Sequence, residues 1–177
     1  MADTNNLKLG EGTLTVQFEG ENAPVDVGFC RNCDMDFKVN SISIEDGLNQ
    51  SPIDSLDTNS AVSLEIELME PTMRNFVLAV GGTPSDIEVV EESGSLIYKP
   101  AGGVQTSKFC QVVYKVRQVK NKTKQDIYTF YKCKSLEGVK FSHRKNKELV
   151  FKVKLMAFSD PENNGAPYQI EYNALLD

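Results

Sequence analysis

The stretch 62–68 alternates between apolar and polar side chains more regularly than any other part of the chain. Its apolar positions are Val62, Leu64, Ile66 and Leu68. Glu65 and Glu67 occupy the intervening positions and fall on the opposite face, because side chains of an extended strand alternate in direction. The pattern predicts a β-strand with one buried face and one acidic face.

Further segments share this strand-like character, with alternating or β-branched and aromatic residues at 13–18, 35–44, 87–90, 95–98, 109–119, 127–133, 148–158 and 168–172. Within 35–44 the apolar phase changes, since Phe37 and Val39 fit one alternation and Ile42 and Ile44 fit the other. One extra residue in a strand swaps its faces, so a β-bulge is expected near Asn40–Ser41.

One short helix is predicted over about residues 71–80. An apolar stripe with spacing i, i+3, i+4 and i+7 is formed by Met73, Phe76, Val77 and Val80. Pro71 suits the first turn, and the glycine pair that follows residue 80 suits the end of a helix. The sequence therefore predicts a mainly β single domain over 1–177, a β-sandwich or rolled β-barrel with this one flanking helix.

Residues 45–60 are predicted to form a long inter-strand loop, well above the median connection of ~4–6 residues. Three aliphatic side chains, Leu48, Ile53 and Leu56, interrupt its polar sequence, and Asp46 and Asp54 lie beside them. A solvated loop gains nothing from aliphatic residues unless they cover their own domain or insert into a partner. The segment therefore suggests a protein that works by assembly.

Charge is distributed unevenly along the chain. Residues 1–107 carry 18 acidic and 5 basic side chains, whereas residues 108–177 carry 7 acidic and 14 basic ones. The two regions are either solvated parts of one surface or complementary patches in head-to-tail association. The net charge of −6 disfavours nucleic-acid binding. The polar, acidic N-terminus and the lack of a long apolar run predict a chain folded in a cytoplasm without membrane insertion.

Motifs for chemistry are sparse. Cys30 and Cys33 form a Cys-x-x-Cys pair that would serve as half of a zinc site, but the second close-spaced pair is missing, since Cys110 and Cys133 are singletons. His143 is the one histidine and has no nucleophile near it in sequence. We therefore expect reduced thiols, no cofactor, no metal and no enzymatic activity.

Three segments together resemble the major tail tube proteins of tailed bacteriophages. They are LGEGTLTV near the start, SISIEDGLNQSPIDSLDTNSAVSLEIELMEPTMRNFVLAVGG in the middle and LVFKVKLMAFSDPENNGAPYQIEY near the end. Such proteins are related to the tube proteins of type VI secretion. The likeness is strongest across residues 35–82, where Glu-Pro-Thr precedes an apolar helix and paired glycines.

The resemblance implies hexameric rings that stack into a tail tube, the conduit for genome delivery. It implies that the 45–60 loop contacts an adjacent ring, with terminal arms at 1–9 and 173–177, and that DNA passes through the lumen without specific binding. Tape measure, baseplate or tip, and terminator proteins would be partners in a virion assembled in the bacterial cytoplasm. Glu65 and Glu67 are expected to face the lumen. A stand-alone β-sandwich binding module and a small zinc or thiol protein remain as alternatives.

Overall fold

A computed structural model of the protein describes residues 8–45, 52–99, 107–118, 121–139 and 151–176. Within these ranges the strands are β1 (Lys8–Phe18), β2 (Val25–Glu45), β3 (Pro52–Leu68), β4 (Ile87–Val90), β5 (Ser95–Tyr98), β6 (Cys110–Gln118), β7 (Lys124–Ser135), β8 (Phe151–Ala157) and β9 (Tyr168–Leu175). The helix α1 spans Met73–Ala79. The mainly β fold, with one α-helix in the described ranges, confirms the predicted class.

Seven strands form an antiparallel sheet in the order β6–β1–β2–β3–β8–β7–β9, and β6 also pairs with β7. That additional pairing closes all of these strands except β9 into a barrel. One edge of β7 pairs with β6, while its other edge pairs first with β9 and then with β8. The remaining strands, β4 and β5, form a separate hairpin.

The barrel interior is filled by the alternating residues that the sequence pattern predicts. Its most deeply buried members include Leu14, Val16, Leu64, Ile66, Val112, Val153 and Leu155. Full burial of such a side chain stabilises the fold by about 1.5–3 kcal/mol. Glycine is required at one close approach, because a Cβ on Gly12 would lie 2.5 Å from the backbone oxygen of Lys115 and 2.6 Å from the ring of Tyr114.

The predicted loop over 45–60 is wrong for most of its length. β3 begins at Pro52, and its backbone pairs with β2 from Glu45 opposite Pro52 down to Cys30 opposite Leu68. Residues 46–51, which connect the two strands, lie outside the described residues. The error has a physical reason: this half of the hairpin lies outside the barrel core, so no apolar alternation marks residues 52–60 as a strand.

The predicted β-bulge is confirmed. The register of β2 against β3 shifts between Asn40 and Ser41, where Asn40 faces Asn59 and Ser41 faces Asp57. The extra residue, Thr58, belongs to β3, so β2 keeps its own alternation and Ile42 and Ile44 lie on the face opposite to Phe37 and Val39.

Helix α1 is shorter than predicted and buries a different set of side chains. Thr72 is its N-cap, with the hydroxyl oxygen accepting a 3.2 Å hydrogen bond from the backbone N–H of Asn75. The buried helix residues are Asn75, Val77, Leu78 and Ala79. Of the predicted stripe, Val77 is buried, whereas Met73, Phe76 and Val80 are half-buried.

The buried residues of α1 differ from the predicted stripe because the helix packs against other elements on two sides. Phe76 lies between the ring of Tyr98 on β5, at 5.9 Å, and the ring of Phe151 on β8, at 6.4 Å. On the barrel side, the buried amide of Asn75 donates to the carbonyls of Val27 at 2.9 Å and Glu70 at 2.7 Å. No helix in the described part of the chain is long and apolar enough to cross a membrane.

Candidate assembly interface

The outer half of the β2–β3 hairpin extends beyond the barrel. Here β1 pairs with β2 at residues 25–30, and β8 pairs with β3 at 62–68. Residues 36–45 and 52–61, termed the arm below, pair with each other and with no third strand among the described residues. Both backbone edges of the arm are thus unpaired within the described ranges, an arrangement that natural monomers usually avoid.

Four large apolar side chains of β2 lie on the arm. Phe37 and Val39 lie opposite Val62 and Ser60 of β3, and Ile42 and Ile44 lie opposite Leu56 and Asp54. Phe37 and Val39 continue the face that is buried in the barrel at Val62, whereas Ile42 and Ile44, beyond the bulge, lie on the other face. The arm therefore carries apolar side chains on both of its faces.

All four of these side chains are exposed. Val39 is 67% exposed and Ile42 is 61% exposed, while Phe37 and Ile44 are 43% and 46% exposed. Phe37, at the base, is held by an edge-to-face contact with Tyr168 of β9 at 5.0 Å. The outer three residues are thus solvent-exposed aliphatic side chains, the type of surface that marks a protein contact.

The structure places the predicted loop residues in different settings. Ile53 and Leu56 lie within β3, and Asp54 is an exposed residue of the same strand, opposite Ile44. Asp46 and Leu48 lie outside the described residues. Sequence reasoning missed Val39 and Ile42 as surface residues, because an alternating apolar strand normally buries that face. The phase change at the bulge was the available signal that this hairpin is unusual.

In the described part of the chain, β9 is a second element with an unpaired strand edge. It pairs with β7 along one edge, and no strand lies beside its other edge within the described residues. Leu175 is 74% exposed near its end. The predicted C-terminal arm at 173–177 starts inside this strand, while residues 1–7 of the predicted N-terminal arm lie outside the described residues.

Glu65 and Glu67 lie on the outer face of β3, but this face is not simply acidic. The register of β3 against β8 places Glu65 opposite Lys154 and Glu67 opposite Lys152. The ammonium of Lys152 lies 2.8 Å from Glu67 Oε1 and 3.8 Å from Glu65 Oε1. The hydrogen bond and charge of Glu67 raise the pKa of Lys152. Acidic and basic residues therefore alternate across this surface.

The four cysteines are free thiols arranged in two pairs. The Cys30 thiol donates to the carbonyl of Asn32 at 2.8 Å, and its hydrogen bond with Cys33 lowers the pKa of Cys30 and raises that of Cys33. Cys110 and Cys133 face each other across β6 and β7 in the buried core. Among the described residues, no group of three or more His, Cys, Asp or Glu side chains could hold a metal ion. His143 lies outside those residues.

No protein-family model and no curated protein matches the sequence. The solved structures that match the chain include two from the anti-feeding prophage. The tube-terminating cap of the anti-feeding prophage is 10% identical with a TM-score of 0.52, covering 90% of this chain and 87% of that one. A chain of the six-fold symmetrised anti-feeding prophage baseplate is 11% identical with a TM-score of 0.46, covering 93% and 91%. At this identity the likeness to the cap is one of fold.

Proposed function

We propose that the protein is a structural subunit of a phage-tail-like particle, forming hexameric rings that stack into the tail tube through which the genome is delivered. The single observation that carries the proposal is the arm, a two-stranded extension whose exposed apolar side chains are not covered by the described part of the chain. The fold shared with a tube-terminating cap supports placing the chain among tail components.

The arm and the exposed edge of β9 explain why a ring and a stack would stabilise this chain. Unpaired strand edges are a liability for a monomer, but copies of the same chain can pair them. A heterologous contact that closes gives a ring, and one that does not close gives a filament. In this proposal the arm reaches a neighbouring copy and buries Val39, Ile42 and Ile44 there, with the undescribed tip at 46–51, including Asp46 and Leu48, as part of the contact.

The role in this proposal is structural rather than catalytic and uses no cofactor. The partners are other copies of the chain, then the tape measure, the baseplate or tip, and the terminator of the same tail, in a virion assembled in the host cytoplasm. Glu65 and Glu67 line the lumen. Both contact the ammonium of Lys152, and the neighbouring Lys154 pairs with Glu137 at 2.7 Å, so the negative charge of this wall is partly neutralised and repels DNA less than the glutamates alone would.

Electron microscopy of the purified chain over a range of concentrations tests the proposal. We expect rings, and tubes built from stacked rings, as the concentration rises. Rings that never stack would favour a cap-like role, the role named for the solved structure with the similar fold. A chain that stays monomeric at high concentration would overturn the proposal and favour a stand-alone binding module.

A further inference from the structure

An open cleft of about 370 Å³ lies at one end of β6. It is bounded by the turn after β1, the first residues of β6, the last part of β7 and the short 3₁₀ turn Pro161–Asn163. Backbone hydrogen bonds fix these elements together, since Glu19 N–H donates to the carbonyl of Phe109 at 3.0 Å and Phe158 N–H donates to that of Lys132 at 2.8 Å. The cleft is therefore part of the barrel framework.

The cleft is negatively charged. Its carboxylates belong to Glu19, Glu21, Asp160 and Glu162. The one cation among its lining residues, Lys132, has its ammonium 4.7 Å from the centre of the Phe109 ring. Four carboxylates against one ammonium leave the lining with a net charge of −3. The ammonium of Lys134 also lies 5.0 Å from the centre of the Phe109 ring, so the ring already contacts the protein's own cations and the carboxylates supply the attraction for a positively charged partner.

The β6–β7 turn, at the opposite end of β6, is positively charged. Arg117 and Lys122 are exposed there, and Lys124 is half-buried. The turn is held by a 3.0 Å hydrogen bond from Lys124 N–H to the carbonyl of Asn121 and by a 2.8 Å bond from the Thr123 hydroxyl to the Asn121 side chain. The three cations among its described residues match the net charge of the cleft lining in magnitude, and Lys120, which lies outside the described residues, adds a fourth. The nine residues of β6 separate the two sites by about 26 Å, at ~3.3 Å per residue.

We infer that the basic β6–β7 turn of one copy docks in the acidic cleft of the next copy, so that this contact joins successive copies head to tail. The inference rests on the proposed function and names the surfaces that stack. Two unlike sites at opposite ends of one strand give a heterologous contact that repeats along the strand direction. Because each copy carries a net charge of −6, copies repel unless opposite charges are brought together, and this pairing does so.

Charge-reversal variants of the full chain test the contact. The cleft variant carries Glu19→Lys with Glu162→Lys, and the turn variant carries Arg117→Glu with Lys122→Glu. The combined variant carries all four changes and keeps the net charge of the original chain. Glu91→Lys with Glu92→Lys, on the exposed turn after β4, is the matched control, because it changes the net charge as much as the cleft variant does.

The readout is the concentration at which stacked assemblies form, measured by sedimentation and electron microscopy, with circular dichroism as the check on folding. We expect the cleft and turn variants each to raise that concentration about tenfold or more. The combined variant should restore stacking, and the control should stack like the original chain. Stacking should also weaken as salt is added.

Two results would overturn the inference while leaving the proposed function intact. In one, the original chain stacks and the single-site variants stack equally well. In the other, the folded combined variant remains as impaired as the variants from which it is built. An original chain that never assembles at any concentration would instead overturn the proposed function and this inference together.

Discussion

Replacing Val39 and Ile42 with threonine should abolish assembly without unfolding the chain. The exposed fractions of these side chains are 67% and 61%. Full burial of such a residue is worth about 1.5–3 kcal/mol, so covering the exposed part contributes about 1–2 kcal/mol per residue. A threonine hydroxyl in the same place forfeits most of that gain, because it must give up water on burial.

Together the two substitutions remove about 2–4 kcal/mol of binding free energy per contact. This loss corresponds to a rise of about thirtyfold or more in the concentration at which assembly occurs. Threonine keeps the β-branched shape that suits a strand, so the free energy of unfolding of the monomer should change by less than about 1 kcal/mol. Sedimentation velocity measures the first effect, and urea denaturation followed by circular dichroism measures the second.

The matched control is the corresponding change at Val89 and Leu96, which face each other on the β4–β5 hairpin and are 59% and 48% exposed. Threonine at these positions removes similar apolar surface from a different part of the molecule and should leave assembly unchanged. The reasoning is refuted if the arm variant assembles at the original concentration, or if it unfolds while the control does not.

Two further predictions concern stability. Asn75→Ala should lower the free energy of unfolding by about 1–3 kcal/mol in urea denaturation, because it removes a buried hydrogen bond to the carbonyl of Val27 and a half-buried one to the carbonyl of Glu70, which keeps its bond from Thr72 N–H. Asn163→Ala, at the surface, should cost less than half as much, and equal losses would contradict this account. Burial raises the pKa of Cys110 to about 12 and also raises that of Cys133, from an ordinary value of 9.0. The unfolded chain therefore releases these protons first, so stability should be complete below pH ~9 and fall as the pH rises toward ~12. The urea midpoint should drop between pH 8 and pH 10, less so in a Cys110→Ala, Cys133→Ala variant, and equal drops would argue against the thiols as the cause.

The strands of the barrel could be predicted from sequence because each buries one face. The stretch 62–68 shows this directly, since its even-numbered residues are buried. The arm lacks a buried face of its own, so the same reasoning assigned residues 52–60 to a loop. The alternation did find the bulge at Asn40–Ser41, because a phase change is visible even where burial is not.

The pairing between distant segments could not be predicted. Nothing in the residues around Glu67 indicates that Lys152 lies opposite, since that depends on the register of strands far apart in the chain. The helix shows a second limit, because hydrophobic spacing cannot identify Asn75 as a buried residue whose side-chain NH2 group donates to two backbone carbonyls. The acidic cleft likewise forms only where four separate segments meet.

Barrel closure also has a consequence for synthesis on the ribosome. β1 pairs with β6, so Thr13 meets Lys115 across a separation of about a hundred residues. Such non-local pairing slows folding, because a long loop must close before the contact is made. In the emerging chain, the edge of β1 that pairs with β6 therefore stays unpaired until most of the polypeptide has been translated. During that interval we expect it to depend on chaperones and to be most vulnerable to aggregation.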